Sequence, residues 1–515
     1  MTAELTPEAK AEEFLKSASL YHLGKLPTES SHPQTRHLSD LLKNDLPQAS
    51  RLLQTIDVQA LMKFQSYIPS LQPMAMAIKE TLAAGRRVFL CGCGATGRLS
   101  LSLEYLWRQS QPARADQVIG FMAGGDVALV HSLEGFEDFP EYGAQQLADL
   151  GFGEGDLLIS STEGGETPFV IGATEAALNL SSRKPFFLYC NPKEVLLESV
   201  ERSKRVLQNP RIHNICLFVG PMALAGSTRM QASTVLQLAI GLTLFDWTSA
   251  GEAANRVGAW LDHYRQWSAA QLAPLIIAES DAYQAGDFVI YQAEDLAITV
   301  FTDTTERSPT FSLPAFNNQK FPRAEHSLSY IMIPSAADGA QSWQKLLLRQ
   351  PRVLNWPNRN QKTTIDYLTG FDFGATVPHY RQQVLPNGTH HFFAVHLKQD
   401  HIELHFRDQQ LKLPRFGRGL LFDHLLLKMV LNIHSTLLMG RLKRFESNFM
   451  TYVMPTNGKL VDRSTRYVKW LLQNQNVPLP SDQVVVTELF RQLQNLAERE
   501  SVVLKTADAL IRRSP

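Results

Sequence analysis

The sequence has few cysteines and no motif that would hold a metal. Its 515 residues include four cysteines, Cys91, Cys93, Cys190 and Cys216, which are too few and too scattered for a disulfide framework. Cys91-Gly-Cys93 is a C-x-C within an apolar run and not the C-x-x-C pair of a zinc site. A reduced, cytosolic protein without a metal or cofactor is therefore expected.

The sequence also lacks an excess of charge and a long apolar run. Fifty Lys+Arg balance fifty Asp+Glu, whereas a nucleic-acid scaffold normally shows a basic excess. No segment reaches the roughly 18 apolar residues of a membrane helix. The first sixteen residues carry four acidic residues and no apolar core of a signal peptide. We expect a cytoplasmic protein that binds neither nucleic acid nor membranes.

The spacing of apolar residues changes along the first half of the chain, from a helical segment to strands that alternate with helices. Apolar spacing over residues 38–64 predicts helix, with a break at Pro47, and the turn-rich residues 26–35 predict a loop. After these, short apolar strands alternate with helices, which is typical of a parallel, doubly wound sheet. The predicted strands are residues 86–94, 117–122, 156–161, 184–190 and 214–219, and the helices are 96–108, 169–180 and 226–247. Such a sheet binds ligands where its strands end.

A second α/β unit follows the first. Its predicted strands are residues 287–291, 327–333, 391–397 and 402–406, and its helices are 293–301 and 420–442. Residues 344–388 are too polar and too often interrupted by proline to assign, and the tail predicts helices over 482–497 and 501–513. We therefore predict an α/β fold with four parts: a helical segment (1–72), two tandem flavodoxin-like parallel-sheet domains (73–262 and 263–470) and a helical tail (471–515).

The first strand ends in a glycine-rich turn, Gly92-Cys-Gly-Ala-Thr-Gly97. Glycines allow a ligand to approach closely, and the N–H groups of the next helix attract an anion such as phosphate. Thr96 adds a hydroxyl. A tight turn needed only for packing is the alternative. Nicotinamide binding is a poorer interpretation, because no acidic residue closes the second strand.

The third strand ends in Ser160-Ser-Thr-Glu-Gly-Gly-Glu-Thr-Pro168. Pro168 is suited to the first helical position, so Thr162 and Gly164 are expected to face the same crevice as the glycine turn. Glu163 and Glu166 would repel a phosphate there unless they turn away. Since negative charge near a helix N-terminus is favourable, a structural role for Glu166 is equally consistent with the sequence.

Further charged residues are candidates outside these two loops. Glu134, Glu137 and Asp138 follow an apolar, glycine-bearing stretch, where a carboxylate can act as a base or bind sugar hydroxyls; a solvated acidic turn is the alternative. In the second unit, Asp303-Thr-Thr-Glu306 is expected to end a helix. Lys459 is a candidate partner for phosphate.

Several motifs in this order resemble the N-acetylmuramic acid 6-phosphate etherases and the related glucokinase regulatory proteins. They are Thr28-Glu-Ser, Gly92-x-Gly-x-x-Gly-Arg98, Ala123-Gly-Gly-Asp, Glu134-Gly-x-Glu-Asp138, Thr167-Pro-Phe-Val-Ile-Gly172, Gly226-Ser-Thr-Arg-Met-Gln-Ala-Ser-Thr234 and Thr456-Asn-Gly-Lys-Leu-Val461. Both groups are built from the sugar isomerase (SIS) fold. Etherases have one SIS unit and pair as dimers, whereas the regulators have two in one chain. The resemblance therefore implies an internal pseudo-dimer, with any further oligomer left open.

The resemblance also implies a sugar phosphate between the two units. Glu137 matches a glutamate that meets the sugar, Glu306 the etherase proton donor to departing lactate, and Lys459 a lysine that reaches the ligand in the regulators. The phosphate would lie on the two loops described above. The implied ligand-binding residues are Gly94, Ala95, Thr96, Glu137, Thr162, Glu163, Gly164, Glu166, Glu306 and Lys459, with Glu137 and Glu306 catalytic.

Departures from the family pattern favour binding over turnover. Relatives usually have Thr-Ser where this chain has Ala95-Thr96, and small or basic residues near Glu163 and Glu166. The second unit has no glycine turn, so one site is expected. The sequence favours a regulatory or sensor protein that binds a phosphorylated sugar, with a carbon–oxygen lyase or isomerase as the alternative. A sugar kinase is left open as a partner. Only about 45 residues follow Trp470, where the animal regulators carry a long helical extension, so inhibition of the animal type is disfavoured.

Overall fold

The amino-terminal segment is helical and packs on the rest of the molecule. The computed structural model describes residues 5–21, 23–133, 135–245, 247–417, 419–497 and 500–513. The first helices are α1 (Pro7–Ser17), α2 (Leu38–Asn44), α3 (Leu46–Gln65) and α4 (Gln72–Ala83). The break predicted at Pro47 falls at Asp45, which caps α3 by accepting a hydrogen bond from the Gln48 amide. Pro47 lies in the first turn of α3, where its missing N–H costs nothing.

The first α/β unit has the predicted five-stranded parallel sheet. Its strands are β1 (Val88–Gly92), β2 (Val118–Met122), β3 (Leu157–Ser161), β4 (Phe186–Tyr189) and β5 (His213–Cys216), in the order β2-β1-β3-β4-β5. Its helices are α5 (Ala95–Ser110), α6 (Pro140–Asp149), α7 (Pro168–Leu180), α8 (Lys193–Ser199), α9 (Glu201–Leu207), α10 (Gln231–Phe245) and α11 (Ala250–Tyr264). The first four strands are buried along their whole length, as expected for a sheet covered on both faces.

The second unit contains a mixed sheet and not a fully parallel one. Its strands are β6 (Phe288–Ala293), β7 (Ser329–Met332), β8 (His390–Leu397), β9 (His401–Phe406) and β10 (Gln409–Pro414), in the order β10-β9-β8-β6-β7. β6, β7 and β8 are parallel, whereas β9 and β10 form antiparallel hairpins. Burial alternates along β9 and β10, which is typical of strands with one solvated face.

The helices of the second unit and the tail complete the fold. They are α12 (Ala273–Gln284), α13 (Ala297–Phe311), α14 (Gly339–Leu347), α15 (Ile365–Leu368), α16 (Val377–Val384), α17 (Leu420–Arg441), α18 (Gly458–Asn474), α19 (Asp482–Gln494) and α20 (Val502–Arg513). The predicted end of α13 at 303–306 is wrong, because the helix continues to Phe311. Glu306 is therefore a helical residue and not part of a loop.

The two units share one hydrophobic core. The helices α10 and α17 pack against each other, and nearly all of their residues are buried. The core continues from the helical segment through both sheets to the tail. Within the described part of the chain, no helix combines the length and the apolar character needed to cross a bilayer.

Candidate functional site

The glycine turn between β1 and α5 is shaped by its own backbone. A Cβ at Gly92 would lie 2.3 Å from the Thr96 carbonyl carbon, and Gly94 has a φ of +56°, so both positions require glycine. The Thr96 hydroxyl accepts a hydrogen bond from the Cys93 amide and donates to the Cys93 carbonyl. Since Thr96 is also buried, its hydroxyl maintains the turn, while Gly94 borders a cavity.

The loop after β3 is held mainly by internal hydrogen bonds. The hydroxyls of Thr162 and Thr167 lie 2.9 Å apart, and Thr162 Oγ1 also accepts from the Gly165 amide. Asn191 Nδ2 donates to the Gly164 carbonyl at 3.0 Å. The hydroxyl predicted to face the ligand is thus used within the loop, as in the glycine turn.

Glu163 and Glu166 have different surroundings. Both are buried. Glu166 forms ion pairs with Arg202 and with Lys459. Although burial alone would raise its pKa, Lys459 and Arg202 lower the pKa of Glu166 to about 2. Glu163 Oε1 has no hydrogen-bond partner among the residues that the structure describes, and burial raises the pKa of Glu163 to about 7.

Lys459 connects the acidic stretch of the first unit to the loop after β3. It lies in the first turn of α18, which Asn457 caps by accepting a hydrogen bond from the Leu460 amide. Lys459 Nζ is 3.1 Å from Glu137 Oε1 and 3.2 Å from Glu166 Oε1. Despite burial, Glu137 and Glu166 raise the pKa of Lys459 above its ordinary value.

Asp138 and Glu134 complete the acidic stretch that the sequence singled out. Burial, with a smaller contribution from the neighbouring Glu137, raises the pKa of Asp138 to about 6. Glu134 lies outside the described residues.

Glu306 reaches the same place from the second unit. Its carboxylate pairs with Arg98 on α5, and both side chains are buried. Arg98 also donates to the Ala128 carbonyl at 2.9 Å and to Ser132 Oγ at 3.1 Å. An arginine with several acceptors is held in one orientation, so the contact between Arg98 and Glu306 joins α5 to α13 at a defined position.

A cavity of about 170 Å³ lies where these groups meet. Its lining includes residues of the first unit, of α13 and of the segment around α18: Gly94, Arg98, Glu137, Glu306, Asn457 and Leu460. Four of the predicted residues are therefore at or beside one cavity. Gly94, Glu137 and Glu306 line it, and Lys459 lies beside it in contact with Glu137. The hydroxyls of Thr96 and Thr162 are directed into their own loops.

A segment of the second unit braces the Glu137 loop. We call residues 349–363 the arm. Arg352 donates its amide to Asp126 Oδ2 at 2.5 Å, and its carbonyl accepts from the Asp126 amide. Further along, Trp356 stacks on Phe136 and packs edge-on against Tyr142. Because Phe136 precedes Glu137, the arm restricts where this carboxylate can lie.

The Gly226-Ser-Thr-Arg229 motif anchors α13. Arg229 Nη1 is 2.9 Å from Asp303 Oδ1, one turn before Glu306, and its guanidinium also donates to Asn432, Ser435 and Thr436 on α17. All of these residues are buried. The motif therefore has a structural explanation that sequence reasoning did not provide.

Three contributors were missed from the sequence. Arg98 was quoted only as part of a motif, Arg202 carried no signal that separates it from a surface arginine, and the arm lies in the segment left unassigned. A glutamate two residues before a helix, such as Glu166, could have prompted a search for a cation. Which cation pairs with Glu166 depends on how α9, which carries Arg202, packs against this loop.

Comparisons with known proteins find relatives of part of this chain. The family model described as the glucokinase regulatory protein N-terminal SIS domain matches residues 72–178. An N-acetylmuramic acid 6-phosphate etherase from Synechocystis sp. is 33% identical over 219 residues, which cover 42% of this chain and 67% of that protein. The etherase from Rippkaea orientalis is 34% identical over 222 residues, covering 42% of this chain and 67% of the relative.

The chain is thus a SIS-domain protein. It belongs to the family of N-acetylmuramic acid 6-phosphate etherases and glucokinase regulatory proteins. Among solved structures, a tagatose-6-phosphate ketose/aldose isomerase from Escherichia coli aligns with 77% of this chain and 94% of its own, at 9% identity and a TM-score of 0.40.

Proposed function

We propose that this protein is a carbon–oxygen lyase of the etherase type, acting on N-acetylmuramic acid 6-phosphate or a related phosphorylated amino sugar. The observation that carries the proposal is one cavity lined by two carboxylates, Glu137 from the first unit and Glu306 from the second. The curated relatives are named as etherases, which supports this alternative better than the regulatory role that the sequence favoured.

Two carboxylates on one cavity suit an elimination. In the open-chain sugar, Glu137 as base takes the proton from the carbon beside the carbonyl. The electrons of that C–H bond form a C=C bond while the bond from the next carbon to the ether oxygen breaks. Glu306, after it leaves Arg98 and takes a proton from solvent, acts as acid and gives that proton to the departing lactate oxygen. Lys459, at 3.1 Å from Glu137, orients the base.

A second candidate function is binding without turnover, as in a sensor or regulator of sugar metabolism. The observation that favours it is that both carboxylates already have a cation partner, Glu137 with Lys459 and Glu306 with Arg98. To act on a sugar, each carboxylate must share or leave that partner. A sugar kinase would be the protein partner to test under this second function.

The decisive experiment is to incubate the protein with N-acetylmuramic acid 6-phosphate and to measure released lactate. We expect release by the wild type and a loss of at least about 100-fold in both Glu137→Gln and Glu306→Gln, the range for general acid–base groups. Glu201→Gln is the matched control and should keep full activity, because Glu201 is an exposed residue at the start of α9 that pairs with Lys204.

The outcome also separates the two candidate functions. If the wild type releases no lactate but N-acetylmuramic acid 6-phosphate raises its melting temperature, the protein binds without turnover. A ligand at about 100 times its dissociation constant stabilises the fold by about 2.7 kcal/mol, which a thermal-shift assay detects. If the wild type releases no lactate and is not stabilised by the sugar phosphate, both functions are refuted.

A further inference from the structure

The carboxylate of Glu166 occupies a place built to hold an anion. Arg202 Nη2 pairs with Glu166 Oε2 while Arg202 Nε donates to the Glu166 carbonyl, and Lys459 Nζ is 3.2 Å from Oε1. The residue is 2% exposed, so two cations neutralise it away from bulk water. Charged pairs of this kind are stronger than the same pairs at the surface.

Backbone geometry places this carboxylate beside the loop that enters α7. A Cβ built on Gly164 would lie 3.2 Å from Glu166 Oε1, so the carboxylate lies against the backbone of Gly164. The 13-residue helix α7 begins two residues later, at Pro168. Two cations at the start of a helix are the groups that bind phosphate in proteins, and here the protein's own side chain is bound to them.

Lys459 is shared between this place and the cavity. Its second partner, Glu137, lines the cavity, and the other cation on the cavity wall, Arg98, is paired with Glu306. A ligand's phosphate that reaches Lys459 must therefore compete with two carboxylates of the protein. The inference rests on the proposed function in one respect only, that a sugar phosphate enters this cavity.

We propose that Glu166 is a specificity-determining residue that competes with the ligand's phosphate for Lys459. A phosphorylated sugar binds by taking Lys459 from Glu166, whereas an unphosphorylated sugar binds without disturbing this contact. The contact lowers the preference of the cavity for phosphate esters. Removing the charge of Glu166 takes away one of the two carboxylates that hold Lys459 and increases that preference.

The test compares one sugar with and without its phosphate. Isothermal titration calorimetry measures the dissociation constants of N-acetylglucosamine 6-phosphate and N-acetylglucosamine for the wild type and for Glu166→Gln. We expect the variant to bind the phosphate ester at least about tenfold more tightly and to bind N-acetylglucosamine within twofold of the wild type. Glu175→Gln is the matched control, because Glu175 lies on α7 and pairs with Arg205 at 3.2 Å, at 34% side-chain exposure. This control should not change either constant.

A second variant tests the same proposal in case Glu166→Gln does not fold. Glu166→Gln changes the net charge beside Arg202, whereas the double variant Glu166→Gln/Arg202→Gln removes one charge of each sign. The double variant should keep the tighter binding of the phosphate ester. If the wild type binds the ester and neither folded variant binds it more tightly, the competition is refuted while the proposed function stands. If no form of the protein binds the phosphate ester at millimolar concentration, the competition is also refuted, whereas the proposed function is still decided by lactate release.

Discussion

Arg98 and Glu306 form a buried ion pair that joins the first α/β unit to the second at the edge of the candidate cavity. Arg98 lies on α5 directly after the glycine turn, and Glu306 lies in the middle of α13. Their side chains are 1% and 10% exposed. Since both side chains are largely removed from bulk water, the charge of Glu306 depends mainly on its contact with Arg98.

Replacing Arg98 should therefore lower stability strongly. Arg98→Met leaves Glu306 buried without its cation, which costs about 3–5 kcal/mol of unfolding free energy, as measured by urea denaturation at pH 7. The double variant Arg98→Met/Glu306→Gln should recover part of this loss. Lys43→Met, in an exposed pair with Asp40, is the control and should have a much smaller effect. A loss below about 1 kcal/mol in Arg98→Met would contradict the prediction.

The arm should contribute to both stability and ligand binding through Trp356. Trp356→Ala removes a side chain that is 9% exposed and stacked on Phe136, so unfolding free energy should fall by about 3–5 kcal/mol. Sugar phosphate affinity should fall as well, because the Glu137 loop loses its support. Trp356→Phe keeps an aromatic ring against Phe136 and loses the hydrogen bond to Asp149, so its affinity should stay near that of the wild type. Equal affinity in all three proteins would show that the arm does not position the loop.

Glu163 should make the protein less stable as the pH rises. Burial raises its pKa from about 4.5 to about 7, so the folded state holds a proton that the unfolded state releases between these values. Stability therefore decreases across this range, by about 3 kcal/mol for this group. Glu163→Gln should match the wild type at pH 5 and exceed its unfolding free energy at pH 8. Asp57, whose pKa burial also raises to about 7, is present in both proteins, so its effect cancels in the comparison.

Glu29 should have the opposite pH dependence. Burial alone would raise its pKa, but Arg463 and Arg466 lower the pKa of Glu29 far below its ordinary value. Its stabilisation is therefore complete above about pH 4.5 and is lost as the pH falls. Glu29→Gln should lower unfolding free energy by about 3–5 kcal/mol at pH 7 and by less at pH 3. Glu8→Gln, in the exposed pair with Arg491, should cause little change at either pH.

The first sheet could be predicted because its strands are short apolar runs buried on both faces. The second sheet was harder, since polar residues alternate along β9 and β10 and the last strand was not predicted at all. The end of α13 was missed for a related reason. Asp303, Glu306 and Arg307 look like a solvated helix end, yet each is buried in an ion pair with another element. Such pairs depend on the tertiary structure and leave no local pattern.

The candidate site was predictable as far as motifs extend. Glu137, Glu306 and Lys459 were singled out from three distant segments, and the structure places Glu137 and Glu306 on one cavity wall with Lys459 in contact with Glu137. The orientation of Glu163 and Glu166 was left open from the sequence, because the answer depends on Arg202 and on burial. The hydroxyls of Thr96 and Thr162 were expected to face a ligand, whereas their nearest acceptors and donors lie within their own turns.

The covalent connection between the two units has a consequence for how the cavity behaves on dilution. When two separate chains each supply one carboxylate, the pair exists only while the chains are associated. Here Glu137 and Glu306 belong to one polypeptide. The covalent link fixes their effective concentration relative to each other, whatever the protein concentration. Activity per molecule that depends on this pair should then be the same at nanomolar as at micromolar protein.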